Sequence, residues 1–181
     1  MKKIIREKFF DRDTSIVAQD LVGKFLVRKI GKKKTAVMIT ETEAYDGFYD
    51  KASHGSRGRT KKSEEMFFNP GFFYIYLCYG VHFMLNIVTR EENYPAAVLL
   101  RGAVGENRHR PLDGPGKITK FLQITGALNQ QKAAVVSGLW FEDRGVEFKP
   151  ADIKKTARIG VNYAGPVWSV KKLRFVLNSE S

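Results

Sequence analysis

A chain of 181 residues can bury a hydrophobic core without disulfides or metal ions, and we expect it to form one domain, residues 1–181. Its 31 Lys and Arg against 19 Asp and Glu give a net charge of +12, which favours a polyanionic partner: nucleic acid first, an anionic membrane surface second. The single cysteine, Cys78, excludes an internal disulfide and a cysteine-rich zinc cluster. No uncharged apolar run approaches the roughly 20 residues of a membrane span, so we expect a soluble cytoplasmic protein.

The first part of the chain predicts a helix followed by a hairpin of two strands. Asp13 or Thr14 can cap a helix whose apolar residues recur at helical spacing as far as Leu21. The apolar and β-branched runs at 25–30 and 36–45 are typical of strands. A basic turn separates them, which indicates that they pair with each other.

The second of these strands ends in Glu-Thr-Glu-Ala-Tyr, residues 41–45. Alternation along a strand predicts that one face carries Ile39, Glu41, Glu43 and Tyr45. Two carboxylates directly after a buried run are costly unless they are paired or used. Solvated charge at a strand end explains the periodicity equally well, and strand geometry alone does not choose Glu43 over Glu41.

The middle of the chain combines a long loop with an aromatic hairpin. Residues 46–62 are polar, basic and without periodicity, which predicts a loop that is either functional or a solvated excursion. Residues 72–79 and 81–88 are the strongest strands of the sequence, and the chain turns between them near Tyr79. Asn86 is an amide in an apolar strand, so it is either bonded to neighbouring backbone in the core or functional.

A short apolar strand at residues 96–100 is predicted to end at Arg101. The planar guanidinium there can meet a carboxylate with two hydrogen bonds, although an exposed cation at a strand end is the simpler alternative. Residues 108–110 (Arg-His-Arg) add a basic patch. A Gly-Pro-Gly turn before Lys117 predicts a helix running to Gly126; its first N–H groups can hold a phosphate, although most such turns only start helices.

The remaining apolar runs predict short strands at residues 139–141, 146–148 and 173–177. The glycine-spaced segment 158–165 allows backbone to approach a ligand closely. Many short strands with few helices predict an α+β fold built on an antiparallel sheet.

Seven short segments follow one another along the chain: ETEAY at 41–45, ASH at 52–54, NPG at 69–71, YIY at 74–76, VLLR at 98–101, GPGK at 114–117 and RIGV at 158–161. In this order they resemble the alkyladenine DNA glycosylase family, the mammalian type of 3-methyladenine DNA glycosylase that also occurs in bacteria. Each segment alone is weak evidence for the family, but all of them in this order are highly specific for it, and the resemblance covers nearly the whole chain.

The resemblance implies a single mixed α+β domain around a curved antiparallel sheet, with a protruding β-hairpin and a few peripheral helices. It implies a monofunctional N-glycosyl hydrolase, without lyase step, metal or cofactor, that begins base excision repair. Its partner is double-stranded DNA containing damaged purines, of the 3-methyladenine, 7-methylguanine, hypoxanthine and ethenoadenine class. We further expect a monomer without a membrane partner.

The resemblance also assigns a water site. It implies that Glu43 is the general base that activates water, and that Arg101 and the main-chain carbonyl of Val161 complete the site. We expect Arg101 to keep Glu43 ionised, because a nearby opposite charge lowers the pKa of a carboxyl.

The remaining assignments concern the base and the duplex. By resemblance, Tyr45, His54 and Tyr76 enclose the everted purine. Asn86 crowds the 2-amino group of guanine, and Tyr79 fills the gap left in the duplex. The basic side chains of the loop and of the predicted helix start are candidates for contacts with the DNA backbone: Arg57, Arg59, Lys61 and Lys117.

Two other classes of protein fit the same composition. A non-catalytic binder of bent or damaged duplex would use the same basic face and the Tyr79 wedge, and its affinity would fall steeply with salt while no base is released. A structural or RNA-associated basic protein would leave the grouping of Glu43, Tyr45 and Arg101 as coincidence. Release of purine from methylated DNA separates the three.

Overall fold

The computed structural model describes residues 2–106 and 111–178, so the basic patch predicted at 108–110 lies outside the described residues. The helices of the described part are α1 Glu7–Phe10, α2 Thr14–Leu21, α3 Pro115–Phe121 and α4 Gly165–Trp168. Its strands are β1 Lys3–Ile4, β2 Phe25–Ile30, β3 Lys33–Asp46, β4 Phe73–Cys78, β5 His82–Val88, β6 Ala96–Gly105, β7 Pro111–Asp113, β8 Leu139–Asp143, β9 Ile153–Thr156 and β10 Arg174–Leu177.

The strands of the described ranges form one antiparallel sheet, which confirms the predicted α+β class. The strand order is β1-β8-β2-β3-β6-β5-β4, with β10 beside β3 and β9, and β7 beside β6. The long strand β3 is central, because it pairs with β2 through its first half, with β10 through its second half and with β6 on the other side. None of the helices in the described part is long and apolar enough to cross a membrane.

The main hydrophobic core lies between the sheet and helices α2 and α3. Helix α2 begins where the Asp13 carboxylate accepts hydrogen bonds from the N–H groups of Ser15 and Ile16, as the capping pattern predicts. Val17 and Leu21 of this helix are fully buried in the core. Burial of each such side chain stabilises the fold by about 1.5–3 kcal/mol.

Two β-bulges decide which side chains of β3 and β6 face this core. Between Ile39 and Thr42 the pairing of the two strands slips twice, which leaves Thr40 in β3 and Arg101 in β6 without a partner. Strand β6 therefore does not end at Arg101, as the sequence predicted, but bends there and continues.

The prediction that Ile39 shares a face of β3 with Glu43 is wrong. The bulge at Thr40 adds one residue to the strand, which inverts the alternation of the side chains. Ile39 and Ala44 both belong to the main core, and the hydroxyl of Thr42 donates to a carbonyl of α2 at 2.7 Å. Glu43 and Tyr45 therefore project from the opposite face of the sheet.

Strands β4 and β5 form the predicted protruding hairpin. Its tip closes with a hydrogen bond from the N–H of Val81 to the carbonyl of Cys78 at 3.1 Å. Tyr79 and Gly80 lie between them with φ angles of 50° and 69°, the left-handed conformation that tight hairpin turns require. The side chain of Tyr79 is 97% exposed.

Helix α3 is shorter than predicted. It ends at Phe121 instead of running to Gly126, because Gln123 has a φ of 51°, which an α-helix does not accommodate.

Residues 146–148 do not form the predicted strand. The N–H of Gly145 donates to the Asp143 carboxylate and its φ is 74°, so the chain turns away from the sheet after β8. The ring of Phe148 instead covers Gly23, where an added Cβ would lie 2.9 Å from it.

Candidate active site

The candidate active site lies on the face of β3 opposite the main core, and Glu43 is at its centre. The Glu43 side chain is 0% exposed. Its Oε1 accepts a hydrogen bond from the N–H of Ile159 at 2.8 Å, and its Oε2 accepts one from the hydroxyl of Tyr45 at 2.8 Å. The Nε of Arg101 lies 3.6 Å from Oε1. Three parts of the chain therefore hold one buried carboxylate.

Burial raises the pKa of the Glu43 carboxyl above its ordinary value. The hydrogen bond from Ile159, the charge of Arg101 and the hydroxyl of Tyr45 lower this pKa, and the charge of Glu41 raises it, but burial has the largest effect. Arg101 thus lowers the pKa of Glu43, as predicted, but burial still leaves this pKa above its ordinary value. A carboxylate with a raised pKa is the stronger proton acceptor.

Glu41 and Glu43 have different surroundings, although the sequence could not separate them. The Oε1 of Glu41 lies 2.9 Å from Nε of Arg101 and 2.5 Å from Nε of Arg174. Two guanidinium groups thus compensate the charge of Glu41, whereas Glu43 has one cation at a longer distance. Of the two, Glu43 is better suited to take a proton.

Val161 lies in the same segment as the amide that holds Glu43, but its own contacts differ. Its carbonyl accepts the N–H of Ala164 at 2.9 Å, which leaves one lone pair for another donor. Its buried side chain packs with Ala52 and Ala164 against Tyr45. The contact with Glu43 is made by Ile159, which sequence reasoning missed because a backbone amide has no residue signature.

The four residues predicted to contact the base line one pocket. Its volume is about 340 Å³, including the part open to solvent. The predicted members are Tyr45, His54, Tyr76 and Asn86, and the ring of His54 lies 5.0 Å from that of Tyr76 in an edge-on arrangement. Further side chains that line the pocket, and that the sequence analysis did not assign, include Met66, Tyr74 and Tyr163.

Tyr74 fixes the tautomer of His54. The Tyr74 hydroxyl donates to the carbonyl of Lys62 at 2.9 Å and lies 2.7 Å from Nδ1 of His54. A hydroxyl has one proton, so Nδ1 must be the donor in the second contact and Nε2 keeps its lone pair. Burial, helped by the charges of Lys62 and Arg57, lowers the pKa of His54 to about 4. The neutral form of His54 is therefore favoured at physiological pH.

Asn86 is bonded to neighbouring backbone, as one of its two interpretations predicted, and it also lies at the pocket. Its Nδ2 donates to the carbonyl of Tyr74 at 3.1 Å and to that of Met84 at 3.2 Å, so backbone fixes the amide. Asn86 also lines the pocket, with both protons of its amide nitrogen used in these bonds. The amide oxygen remains as the polar group that a ligand can meet.

The basic candidates lie on two exposed parts of the surface. Arg57, Arg59 and Lys61 are exposed on the loop beside the pocket, where Arg59 donates to Asn93 at 2.6 Å. Lys117 at the start of α3 lies 2.5 Å from Asp113, and its side chain is 62% exposed.

The start of α3 lies against the turn end of the β4–β5 hairpin. An added Cβ at Gly116 would be 2.8 Å from the ring of His82, the first residue of β5. Lys117 is therefore near the hairpin that carries Tyr79.

The protein can now be compared with known ones. The sequence profile of the methylpurine-DNA glycosylase family matches residues 8–181. Three relatives each carry the name "Putative 3-methyladenine DNA glycosylase". That of Methanocella arvoryzae is 41% identical over 90% of this chain and 86% of its own. That of Desulfitobacterium hafniense is 38% identical over 91% and 90%, and that of Borreliella afzelii 42% over 86% and 86%. The resemblance found in the motifs is thus confirmed, and this chain belongs to the methylpurine-DNA glycosylase family, whose members are DNA glycosylases that repair alkylation damage.

Proposed function

We propose that this enzyme flips alkylated or deaminated purines out of duplex DNA and hydrolyses their N-glycosidic bond with a water activated by Glu43. The observation that carries the proposal is the hydrogen bond from the Tyr45 hydroxyl to Glu43. The ring of Tyr45 lines the aromatic pocket, while its hydroxyl contacts the buried carboxylate that is proposed as the general base. The names of the relatives support 3-methyladenine as a substrate, and the name of the family supports methylated purines such as 7-methylguanine. Hypoxanthine and ethenoadenine belong to the proposal through the resemblance of the motifs alone.

Recognition combines the attraction of the basic protein for the DNA backbone with the stacking of the everted base in the pocket. The net charge of +12 attracts the DNA backbone, and the exposed cations Arg57, Arg59, Lys61 and Lys117 are available to phosphates. Eversion of a base costs a few kcal/mol, and least for a damaged base. Stacking on the rings of the pocket returns about 1–3 kcal/mol, and Tyr79 at the hairpin tip fills the gap in the duplex.

The chemical step follows from the position of Glu43. The bond from C1′ to the purine nitrogen breaks, its electron pair leaves with the purine, and the sugar gains oxocarbenium character. The oxygen of the water then forms the new bond to C1′ while Glu43 takes one of its protons. Ile159 and Tyr45 use one acceptor site on each carboxylate oxygen, so a site for the water remains. The ionised carboxylate also stabilises the positive sugar.

The pocket supports a monofunctional reaction by one chain. A lyase step needs an amine that forms a Schiff base with the sugar, and the side chains lining the pocket within the described ranges include no lysine. We further propose that the chain acts as a monomer with one domain, residues 1–181.

The proposal is tested with duplex DNA that contains one 7-methylguanine. We expect free purine and an abasic site that breaks only after alkali treatment. Tight binding of the lesion duplex without any released purine would identify a non-catalytic binder instead, and strand breaks without alkali would contradict the monofunctional assignment.

The pH dependence of excision should show the raised pKa of Glu43. The base must be ionised, so the rate falls as the pH falls through the pKa of Glu43, and we expect this acidic limb above the ordinary value of 4.5. Tyr45→Phe removes a hydrogen bond that lowers this pKa, so the limb should move to higher pH. Single-turnover excision of 7-methylguanine is the measurement, because this cationic base leaves without further protonation. A limb at the same pH in Tyr45→Phe would contradict the assignment.

Asn86 should limit the release of normal guanine. Asn86→Ser shortens the side chain in the pocket, and we expect the excision of unmodified guanine to rise by about 10-fold, in line with the ~1–3 kcal/mol that one pocket group contributes to discrimination. The measurement is guanine released from undamaged duplex. Unchanged guanine release together with a lower melting temperature would show that Asn86 only supports the hairpin through its bonds to Tyr74 and Met84.

A further inference from the structure

A buried ion pair lies behind the wall of the pocket. Arg158 donates from Nη1 to one Asp50 oxygen at 2.5 Å and from Nη2 to the other at 2.8 Å. Within residues 2–106 and 111–178 it is the one ion pair whose side chains are both 0% exposed. Burial of two charges seldom gives a net gain in stability, so the location of this pair calls for another explanation.

The Arg158 side chain contacts the strand that carries the base. Its Nη1 also donates to the carbonyl of Ala44 at 2.8 Å, between Glu43 and Tyr45. Its guanidinium lies 4.6 Å from the centre of the Tyr45 ring. Tyr45 lines the pocket and Arg158 does not, so the guanidinium stacks on the ring from behind.

The pair also controls two pieces of backbone. The residue after Arg158 is Ile159, whose N–H donates to Glu43. Asp50 accepts the N–H of Ala52 at 3.1 Å and that of Asp46 at 3.2 Å, so it fixes the start of the loop that leads to His54. One guanidinium thus joins strand β3, the loop and the segment 158–165.

We propose that Arg158, held by Asp50, is a positioning residue that sets the N–H of Ile159 on Glu43 and the ring of Tyr45 against the pocket. The planar guanidinium is suited to this role, because it donates in two fixed directions while its face stacks on the ring. A lysine in its place keeps the charge but loses the fork and the stacking surface.

The titration of Glu43 reports this positioning. A looser Ile159 hydrogen bond removes an interaction that favours the ionised carboxylate, so the pKa of Glu43 rises. The other titratable or charged groups that act on Glu43 are Glu41 and Tyr45 on β3, Arg101 on β6, Tyr76 on β4 and Tyr163 on the turn at 162–164. Of these, Tyr45 is itself in contact with Arg158, and a displaced Tyr45 hydroxyl would raise the pKa of Glu43 in the same direction, because its hydrogen bond lowers that pKa.

The test variant is Arg158→Lys, which preserves a cation beside Asp50. We expect the acidic limb of single-turnover excision to move up by about 1 pH unit and the rate at the optimum to fall by about 10-fold. The pKa of Glu43 should rise equally in the DNA-free protein, read from the ¹³C resonance of its carboxyl, which Glu43→Gln identifies.

Arg144→Lys is the matched control. Arg144 also pairs with a carboxylate, that of Glu142, and lies 4.4 Å from the ring of Phe25. These two partners are on β8 and β2, away from Glu43. We expect its acidic limb and the Glu43 resonance to match the wild type. An Arg158→Lys profile equal to that of Arg144→Lys would overturn the proposal and leave Asp50–Arg158 as a structural pair.

A second variant protects the test against poor folding. Asp50→Asn keeps Arg158 and one carbonyl acceptor for it, and we expect a shift in the same direction but smaller; no shift would overturn the proposal. The role rests on the proposed function, and the two fail separately. If wild-type protein releases no purine, the proposed function is wrong, while the Glu43 titration without DNA still decides whether Arg158 positions the carboxylate.

Discussion

Replacing Glu43 with Gln is expected to lower the excision of 7-methylguanine by about 10²–10⁴-fold, the usual contribution of a general base. An amide cannot take the proton of the water or face the developing positive charge of the sugar. The structure of the site should persist, because the amide oxygen of the new side chain can still accept the Ile159 N–H, and its nitrogen can donate to the Tyr45 hydroxyl. Affinity for the lesion duplex should therefore be retained.

Glu41→Gln is the matched control, since it makes the same change two residues away on the same face of β3. Glu41 is already compensated by Arg101 and Arg174, so we expect a loss at least 10-fold smaller than for Glu43→Gln. Single-turnover excision and binding of the lesion duplex are measured for both variants. Wild-type excision by Glu43→Gln, or a larger loss in Glu41→Gln, would remove Glu43 from the role of base.

The second large effect is expected at the hairpin tip. Tyr79→Ser should weaken binding of a lesion duplex by about 10- to 100-fold, because the small side chain cannot fill the gap left by the everted base. The side chain is 97% exposed, so the melting temperature should not fall. Tyr79 carries no charge, and the salt dependence of binding should therefore keep its slope.

A fluorescent base analogue beside the lesion reports eversion directly, and its signal should fall with the affinity. Tyr49→Ser is the control, because Tyr49 is also 84% exposed and is changed in the same way on a different loop. Equal losses in the two variants would show that any exposed tyrosine on this surface contributes and would contradict a wedge at Tyr79.

Part of the site and of the fold could be predicted from the sequence. Tyr45, His54, Tyr76 and Asn86 were assigned to the base through the resemblance to a family, and all four line one pocket. The Asp13 cap and the aromatic hairpin were predictable because each depends on residues close together in sequence.

The bulge in β3 could not be predicted from alternation. Thr40 is compatible with either face of a strand, so nothing in the sequence shows that the count shifts by one there. The prediction placed Ile39 with Glu43, whereas the structure buries Ile39 in the core and directs Glu43 to the opposite face. The face to which Glu43 points therefore depends on one residue, Thr40, that gives no signal in the sequence.

Long-range partners were also beyond sequence reasoning. Asp50 and Arg158 are 108 positions apart, and nothing in the sequence indicates that Tyr74 bonds to His54. Strand β1 has two residues and β7 three, too few for a periodicity to appear. Such features follow from the whole fold and have no local pattern.

The backbone conformation of Tyr79 is set by the hairpin turn of the folded protein, before the side chain meets DNA in its proposed role. A residue with a Cβ in the left-handed region carries an energy of roughly 1–2 kcal/mol that glycine would avoid. The rest of the fold compensates this energy when the protein folds, before it meets a duplex. In the proposed role, contact with DNA then requires no further rearrangement of the turn. In the proposed wedge role, the side chain of Tyr79 is thus in position before the protein meets DNA, and the turn is locally less stable than one with glycine at this place.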